Sequence, residues 1–428
     1  MTRHGFAKVV GAVLVLAVTF AAPAKADSVP ASFDCAKAGS TVEKFICAQA
    51  ALRWQDLALS RGYRAARNAA TGAARDDLLA SQRDWVRERD RRCIADRTFK
   101  ELADTAAELG KQAYECLNVV YLDRRRTLQD LAAAPLTARA IAEIDLKPIA
   151  TARPDIAEDG AVRVSDIRLS PDGALAAILL PSIELDGPDQ VWLYRVADGR
   201  LAAATPMPDM QQPHPDGAPM AIKSLAWQGT TLYARVATWS KTSDGENGTT
   251  AVYAAAMDIS RRLDTVPGDV TSLLDNAEQP DTAAADEVAD DEQDGVEVVH
   301  GNRRFLVWTH DRGHGTIELK MRKRVAGSQP SLVAWGSWEL RHTLFDAEHS
   351  RLVHAADTGI VVFDIATGGE LRIAGASQGD QPRAIAADSG VLLWSTRNRC
   401  GDESLTAQDD SQPERFCLAQ LTTPEAGK

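Results

Sequence analysis

The sequence predicts a multidomain chain of α followed by all-β structure: a small disulfide-linked helical bundle, then a β-propeller of about five blades. Three observations carry this. Cysteine cluster and helical periodicity coincide in the first third of the chain. Short apolar strands with turn residues between them recur through the remainder. The charge also divides: residues 27–135 hold 18 Lys/Arg against 16 Asp/Glu, a sum of +2, whereas residues 136–428 hold 27 against 44, a sum of −17. Two electrostatically different units are expected. The 428 residues suffice for two domains, and 45% apolar with 25% charged residues is the composition of a globular chain. With a net charge of −12 there is no basic footprint for a phosphate backbone, so nucleic acid is not an expected partner.

Residues 1–26 read as a signal peptide. Arg3, His4 and Lys8 precede an apolar run from Val9 to Ala22, and Ala24-Lys25-Ala26 offers the small residues of a cleavage site. At about 14 residues the run is shorter than the ~20 that span a bilayer, so cleavage after Ala26 is expected, leaving no transmembrane segment. Cys35 follows Ser32-Phe33-Asp34 rather than a small apolar tripeptide, which argues against a lipid anchor. In an exported protein an even cysteine set is read as disulfides. Six cysteines allow fifteen pairings; short loops favour Cys35 with Cys47, Cys93 with Cys116 and Cys400 with Cys417. The absence of a CxxC spacing gives a zinc ribbon or a redox pair little support.

Residues 27–135 are assigned to the helical domain. Ser40 and Glu43 form a capping box, which opens a helix there. Leu52, Leu59, Tyr63 and Ala66 draw an apolar stripe that Gly72 ends. A second long helix from Ala74 places Leu78, Leu79, Gln82, Trp85, Val86 and Arg89 near one side, with Arg83, Arg87 and Arg91 every four residues on another. A third carries Ala113, Leu117, Val120, Tyr121, Leu128 and Leu131. The expected unit is a three-helix bundle, with Trp85 and Gln82 in its core and an ion pair between helices at Arg89-Asp90.

The string Cys35-Ala36-Lys37, Thr41, Glu43, Ile46-Cys47, Leu57, Tyr63, Gln82, Trp85, Arg89-Asp90, Cys93, Cys116-Leu117, Tyr121 and Arg125 resembles the lysozyme inhibitor LprI N-terminal domain family. The resemblance implies an exported bacterial protein and inhibition of lysozyme, a glycan hydrolase. For the ridge of Arg83, Arg87 and Arg91 the bland reading is a solvated face paired with Asp84 and Glu88. The sharper one makes it the partner contact. A lysozyme cleft holds one protonated and one ionised carboxyl, and a guanidinium pairs with the latter bidentately.

Residues 136–428 are assigned to the propeller. Turns at Ser170-Pro171-Asp172-Gly173, Gln228-Gly229, Gly301-Asn302, His349-Ser350 and Ser389-Gly390 are each followed by a strand: Leu175 to Leu180, Thr231 to Trp239, Phe305 to Thr309, Leu352 to Ala356 and Val391 to Ser395. An apolar run returns later in each block, at Val191 to Val196, Ala251 to Met257, Ile317 to Met321, Ile360 to Ile365 and Phe416 to Leu421. Blocks of 40 to 73 residues result, the sign of four-stranded blades. The Ser-Pro-Asp-Gly turn, followed by a strand and an Asp198-Gly199 hairpin, resembles WD-repeat-like bacterial propellers. The last block lacks a fourth strand, which Ile144 to Ala150 would supply, closing the ring and removing exposed edges.

Residues 275–297 contain ten Asp/Glu and no Lys/Arg, so they are read as a solvated insertion. Asp290 to Gly295 opens like a calcium loop, but the twelfth position is Gly301 rather than Glu. Gly375-Ala376-Ser377-Gln378-Gly379 matches a nucleophile elbow, yet no His follows His354. His300, His310 and His314 read as surface histidines rather than metal ligands. Trp239, Trp308 and Trp394 read as packing between blades rather than a sugar platform. With no catalytic residue, cofactor or metal expected, the chain reads as an exported envelope binding protein whose partner is lysozyme or another cationic envelope protein. The rival reading is a periplasmic scaffold or carbohydrate-binding protein that uses the propeller rim.

Overall fold

The computed structural model describes residues 29–132, 137–152, 157–158, 161–180, 190–196, 220–242, 245–256, 259–278, 288, 296–301, 304–313, 315–325, 327–346, 349–386, 388–401 and 412–422. The signal peptide at 1–26, the Asp198-Gly199 hairpin, the Asp290–Gly295 frame, His314 and most of the acidic run lie outside these residues. Among the described residues, no helix is long and apolar enough to cross a membrane.

The first unit is helical: α1 (Thr41–Ala48), α2 (Ala50–Ala69), α3 (Ala73–Cys93), the single turn α4 (Phe99–Leu102) and α5 (Glu108–Ala132). α1 starts where the sequence caps it. Ser40 Oγ accepts from the Glu43 amide and the Glu43 carboxylate accepts from the Ser40 amide; the Ser40 and Gly39 amides hold that carboxyl below its ordinary pKa. Between α2 and α3 the chain turns at Gly72, whose φ of +53° suits glycine. Phe45, Leu52, Leu102, Leu117, Tyr121 and Leu128 fill the core. Disulfides join Cys35 to Cys47 and Cys93 to Cys116, the second tying the end of α3 to α5. Two expectations change. Leu131 is 53% exposed, and on α3 Leu79 and Val86 face solvent while Leu78 and Arg89 turn inward.

Small antiparallel sheets of consecutive strands follow. Beyond a two-stranded hairpin of Ala157–Glu158 and Ala161–Val162, the first joins Asp166–Leu169, Leu175–Leu180 and Gln190–Arg195. The second runs Met220–Gln228, Thr231–Thr242, Gly245–Ala256 and Ile259–Arg262; the third Val296–Gly301, Phe305–Asp311, Ile317–Lys323 and Ser331–Gly336. The fourth holds Leu344–Asp346, Arg351–Ala356, Gly359–Asp364 and Glu370–Arg372. The fifth holds Gln381–Ile385, Val391–Thr396 and Arg415–Thr422. Its fourth member is Thr137–Glu143, which pairs antiparallel with Arg415–Thr422 from Thr137 opposite Thr422 to Glu143 opposite Cys417.

The fourth strand of the last sheet is therefore not Ile144 to Ala150, which contains most of helix α6 (Lys147–Ala152). Ile144 and Ile149 are buried among residues of the first and fifth sheets. The part of the acidic run that is described departs too: Asp275 and Glu278 end α7 (Gly268–Glu278), and Asp275 pairs with Arg235 at 2.6 Å. Trp308 and Trp394 are fully buried, in keeping with packing. His310 is no loop residue. It lies buried in a strand with Nδ1 3.8 Å from Glu318. Cys400 and Cys417 form the third disulfide.

Candidate protein-binding face

The helical unit has two sides with opposite characters. One docks on the sheets. α2 and α5 lie across the strand Glu370–Arg372, and α2 inserts Trp54 and Ala58 among Leu319, Val333 and Phe363. Arg61 donates to the carbonyls of Val333, at 2.6 Å, and Leu332, and stands 3.4 Å from Glu370. Arg125 pairs with Asp357 at 2.7 Å, Gln55 donates to the same carboxylate, and Arg372 returns a pair to Asp130 at 2.8 Å. Desolvation lowers the Arg61 pKa, opposed by Glu370. This side is occupied.

The other side is built by α3, whose composition explains why it stays at the surface. Of its 21 residues only Leu78, Arg89 and Cys93 are buried. Arg87 pairs with Asp84 and Arg91 with Glu88, three residues apart along the helix, and the two guanidinium side chains remain 72% and 75% exposed. Arg83 is exposed and has no ion-pair partner among the described residues. Helical spacing sets it on one stripe between Leu79 and Val86, which are 39% and 36% exposed. Such pairs in water are weak and readily exchanged for a partner's carboxylate.

Beside this ridge a cleft of about 250 Å³ runs between α3 and α5. Trp85 forms its wall, edge-on to Tyr121 with ring centroids 5.4 Å apart. The Arg89 guanidinium lies over the Trp85 ring at 5.4 Å and donates to the Tyr121 hydroxyl at 2.8 Å; that hydroxyl donates to Asp56 at 3.2 Å. The link between helices thus runs from Arg89 through Tyr121 to α2, whereas Asp90 pairs with Arg89 inside α3 at 2.6 Å. Arg124 donates to Gln82 at 2.9 Å and to Ser81 at 3.1 Å. Three guanidinium groups, from Arg89, Arg92 and Arg124, face the cleft against the carboxylates of Glu88 and Asp123. Arg92 and Arg124 are additions to the ridge that the four-residue period hid; the runs Arg91-Arg92 and Arg124-Arg125-Arg126 are the signal that marks them.

A surface of clustered guanidinium groups around one indole, with no nucleophile, base and acid brought together, suits recognition of carboxylates. Residues 34–128 match the family described as Lysozyme inhibitor LprI. The LprI match covers α1 to α4 and most of α5, hence the ridge, the cleft and Arg125. No curated protein matches the chain. Among solved structures, a puromycin hydrolase mutant is 14% identical with a TM-score of 0.27, over 60% of this chain and 46% of its own. The Bombyx mori GH32 β-fructofuranosidase BmSUC1 in complex with sucrose is 8% identical with a TM-score of 0.25, over 65% and 66%. The chain thus spans less than half of the first and two thirds of the second. Likenesses this distant assign neither fold nor activity.

Proposed function

We propose that the helical unit inhibits a lysozyme-type glycan hydrolase, that it works in the periplasm or outside the cell, and that the five sheets form a propeller that carries it. The match of residues 34–128 to the lysozyme inhibitor family, on a unit whose other side is already docked, is the observation that carries the reading. In this mechanism the exposed Arg83 leads, with Leu79 and Val86 supplying apolar contact on either side. It pairs bidentately with the ionised carboxylate of the hydrolase cleft. Arg87 and Arg91 then exchange Asp84 and Glu88 for partner groups. The −17 charge of residues 136–428 draws a cationic hydrolase toward the molecule, within a screening length of about 8 Å at physiological salt.

The propeller reading is supported by the closing of the fifth sheet with the first strand after the helices and by contact of the first sheet with the fifth: the Asp388 amide donates to the Pro171 carbonyl at 2.9 Å. Export is supported by the three disulfides.

The test is lysozyme turnover titrated with the full chain and with its Arg83→Ser/Arg87→Ser/Arg91→Ser variant. Inhibition by the full chain, weakened at least tenfold in the variant, is expected. Equal inhibition by both would remove the ridge as the contact, and no inhibition by the full chain would remove the function.

A further inference from the structure

The described residues also enclose a large concave space away from the α3 face. A cavity of about 790 Å³ lies where α2 meets the third, fourth and fifth sheets, within the ~300–1,000 Å³ typical of small-molecule sites. Its wall is drawn from six separate stretches of the sequence, from Trp54 to Glu414.

We infer that this cavity binds an uncharged oligosaccharide.

Three features select that chemistry. The first is aromatic surface. Trp335 and Trp338 stand together on the wall and Trp54 contributes from α2; Trp338 is 53% exposed although it lies inside a concave site. An indole face left open in this way offers a flat apolar platform to the C–H face of a sugar ring.

The second is charge balance. The wall holds the carboxylates of Glu339, Asp357 and Glu414. Glu414 is paired with Arg383 at 2.7 Å and Asp357 with Arg125 at 2.7 Å, and Arg397 also lines the space. Arg125 stands behind Asp357 rather than on the wall, so Asp357 and Glu414 each meet a guanidinium partner and the wall presents largely compensated charge. A charged ligand would gain nothing there to offset its lost hydration.

The third is the arrangement of neutral polar groups. Gln378, Gln381, Ser395 and Thr396 present amides and hydroxyls, each able to donate and accept. His354 backs this wall as a neutral ring. Its Nδ1 lies 2.8 Å from the Ala355 carbonyl, which only accepts, so the proton sits on Nδ1 and Nε2 keeps a lone pair. That Nε2 is buried without a hydrogen-bond partner, behind the residues that face the cavity. Burial also lowers the His354 pKa and keeps the ring neutral. Aromatic platforms, compensated charges and mixed donor–acceptor groups together describe a site for hydroxyl-rich, uncharged rings. The site is separate from the α3 ridge and does not depend on inhibition of a hydrolase.

The experiment is a tryptophan-fluorescence titration of the full chain with chitotriose, cellotriose and maltotriose, and with trigalacturonate as a charged control. Saturable binding of at least one neutral trisaccharide is expected, weakened at least tenfold in Trp338→Ala and in Gln381→Ala, both checked for an unchanged melting temperature. Trp338 is exposed, so its replacement leaves packing intact. Binding of none of the three, tighter binding of trigalacturonate than of any of them, or unchanged affinity in both variants would overturn the inference.

Discussion

Arg125 and Asp357 lie 232 residues apart in sequence and meet at 2.7 Å, the arginine side chain 1% exposed and the carboxylate 29%. Gln55 bridges them, accepting from Arg125 at 2.8 Å and donating to Asp357 at 2.7 Å. A helix of one unit thereby locks a strand end of the other. Truncating one partner leaves the other buried and unpaired, which costs about 3–5 kcal/mol, whereas removing both charges is often near neutral. Asp357→Ala is expected to lower stability by about 3 kcal/mol, and Arg125→Met/Asp357→Leu to recover most of it. Chemical denaturation decides; additive losses in the double variant would show that the pair does not act as a unit.

α3 buries little of itself, so the Cys93–Cys116 bridge is a main part of its attachment beside the Arg89–Tyr121 and Arg124–Gln82 bonds. Replacing both cysteines with serine should cost about 2–4 kcal/mol. The loss should be local, so that amides of α3 exchange faster with deuterium while those of α2 do not. Equal protection of both helices in the variant would contradict this.

Gly173 takes a φ of +71°, and a Cβ there would sit 2.5 Å from Ser389 Oγ and 2.9 Å from Val391 Cγ2. The turn of the first sheet is thus wedged against the fifth. Gly173→Ala should destabilise by about 1–3 kcal/mol through backbone conformation and crowding together. Adding Ser389→Ala should restore only part of this, because the φ remains. Thermal unfolding of the two variants measures it.

The His354 pKa lies below its ordinary 6.5 because burial disfavours the charged ring. The unfolded chain therefore binds this proton first. The contribution is fully present above about pH 6.5 and is lost as pH falls through the lowered value. Melting temperature should drop between pH 6.5 and 5, and less steeply in His354→Gln. Parallel profiles would exclude His354 as the source.

Local signals in the sequence were readable. Ser40 and Glu43 settle their helix start within four residues, and the strand Leu175–Leu180 is an unbroken apolar run between a turn and a second apolar segment. The strand Thr137–Glu143 escaped because it is short, alternates alanine with residues of mixed character and finds its partner only in the last sheet. Trp54 lay hidden on an ordinary helix; its role comes from Ala334, Val333 and Phe363, which no periodicity connects to it. The cavity wall was illegible for the same reason. The three tryptophans weighed as a sugar platform were Trp239, Trp308 and Trp394, and the described two are sealed in the core, while the open indole is Trp338.

The pairing of Thr137–Glu143 with Arg415–Thr422 has a consequence for how the chain is made. Glu143 and Arg415, joined at 2.7 Å, are 272 residues apart. The segment that leaves the helices must wait, edge unsatisfied, until nearly all of the remainder has been synthesised. Until residues 332–370 have followed, Arg61 and Arg125 have no partners to receive them, so the nascent protein exposes cations on the side of its bundle that the finished molecule conceals.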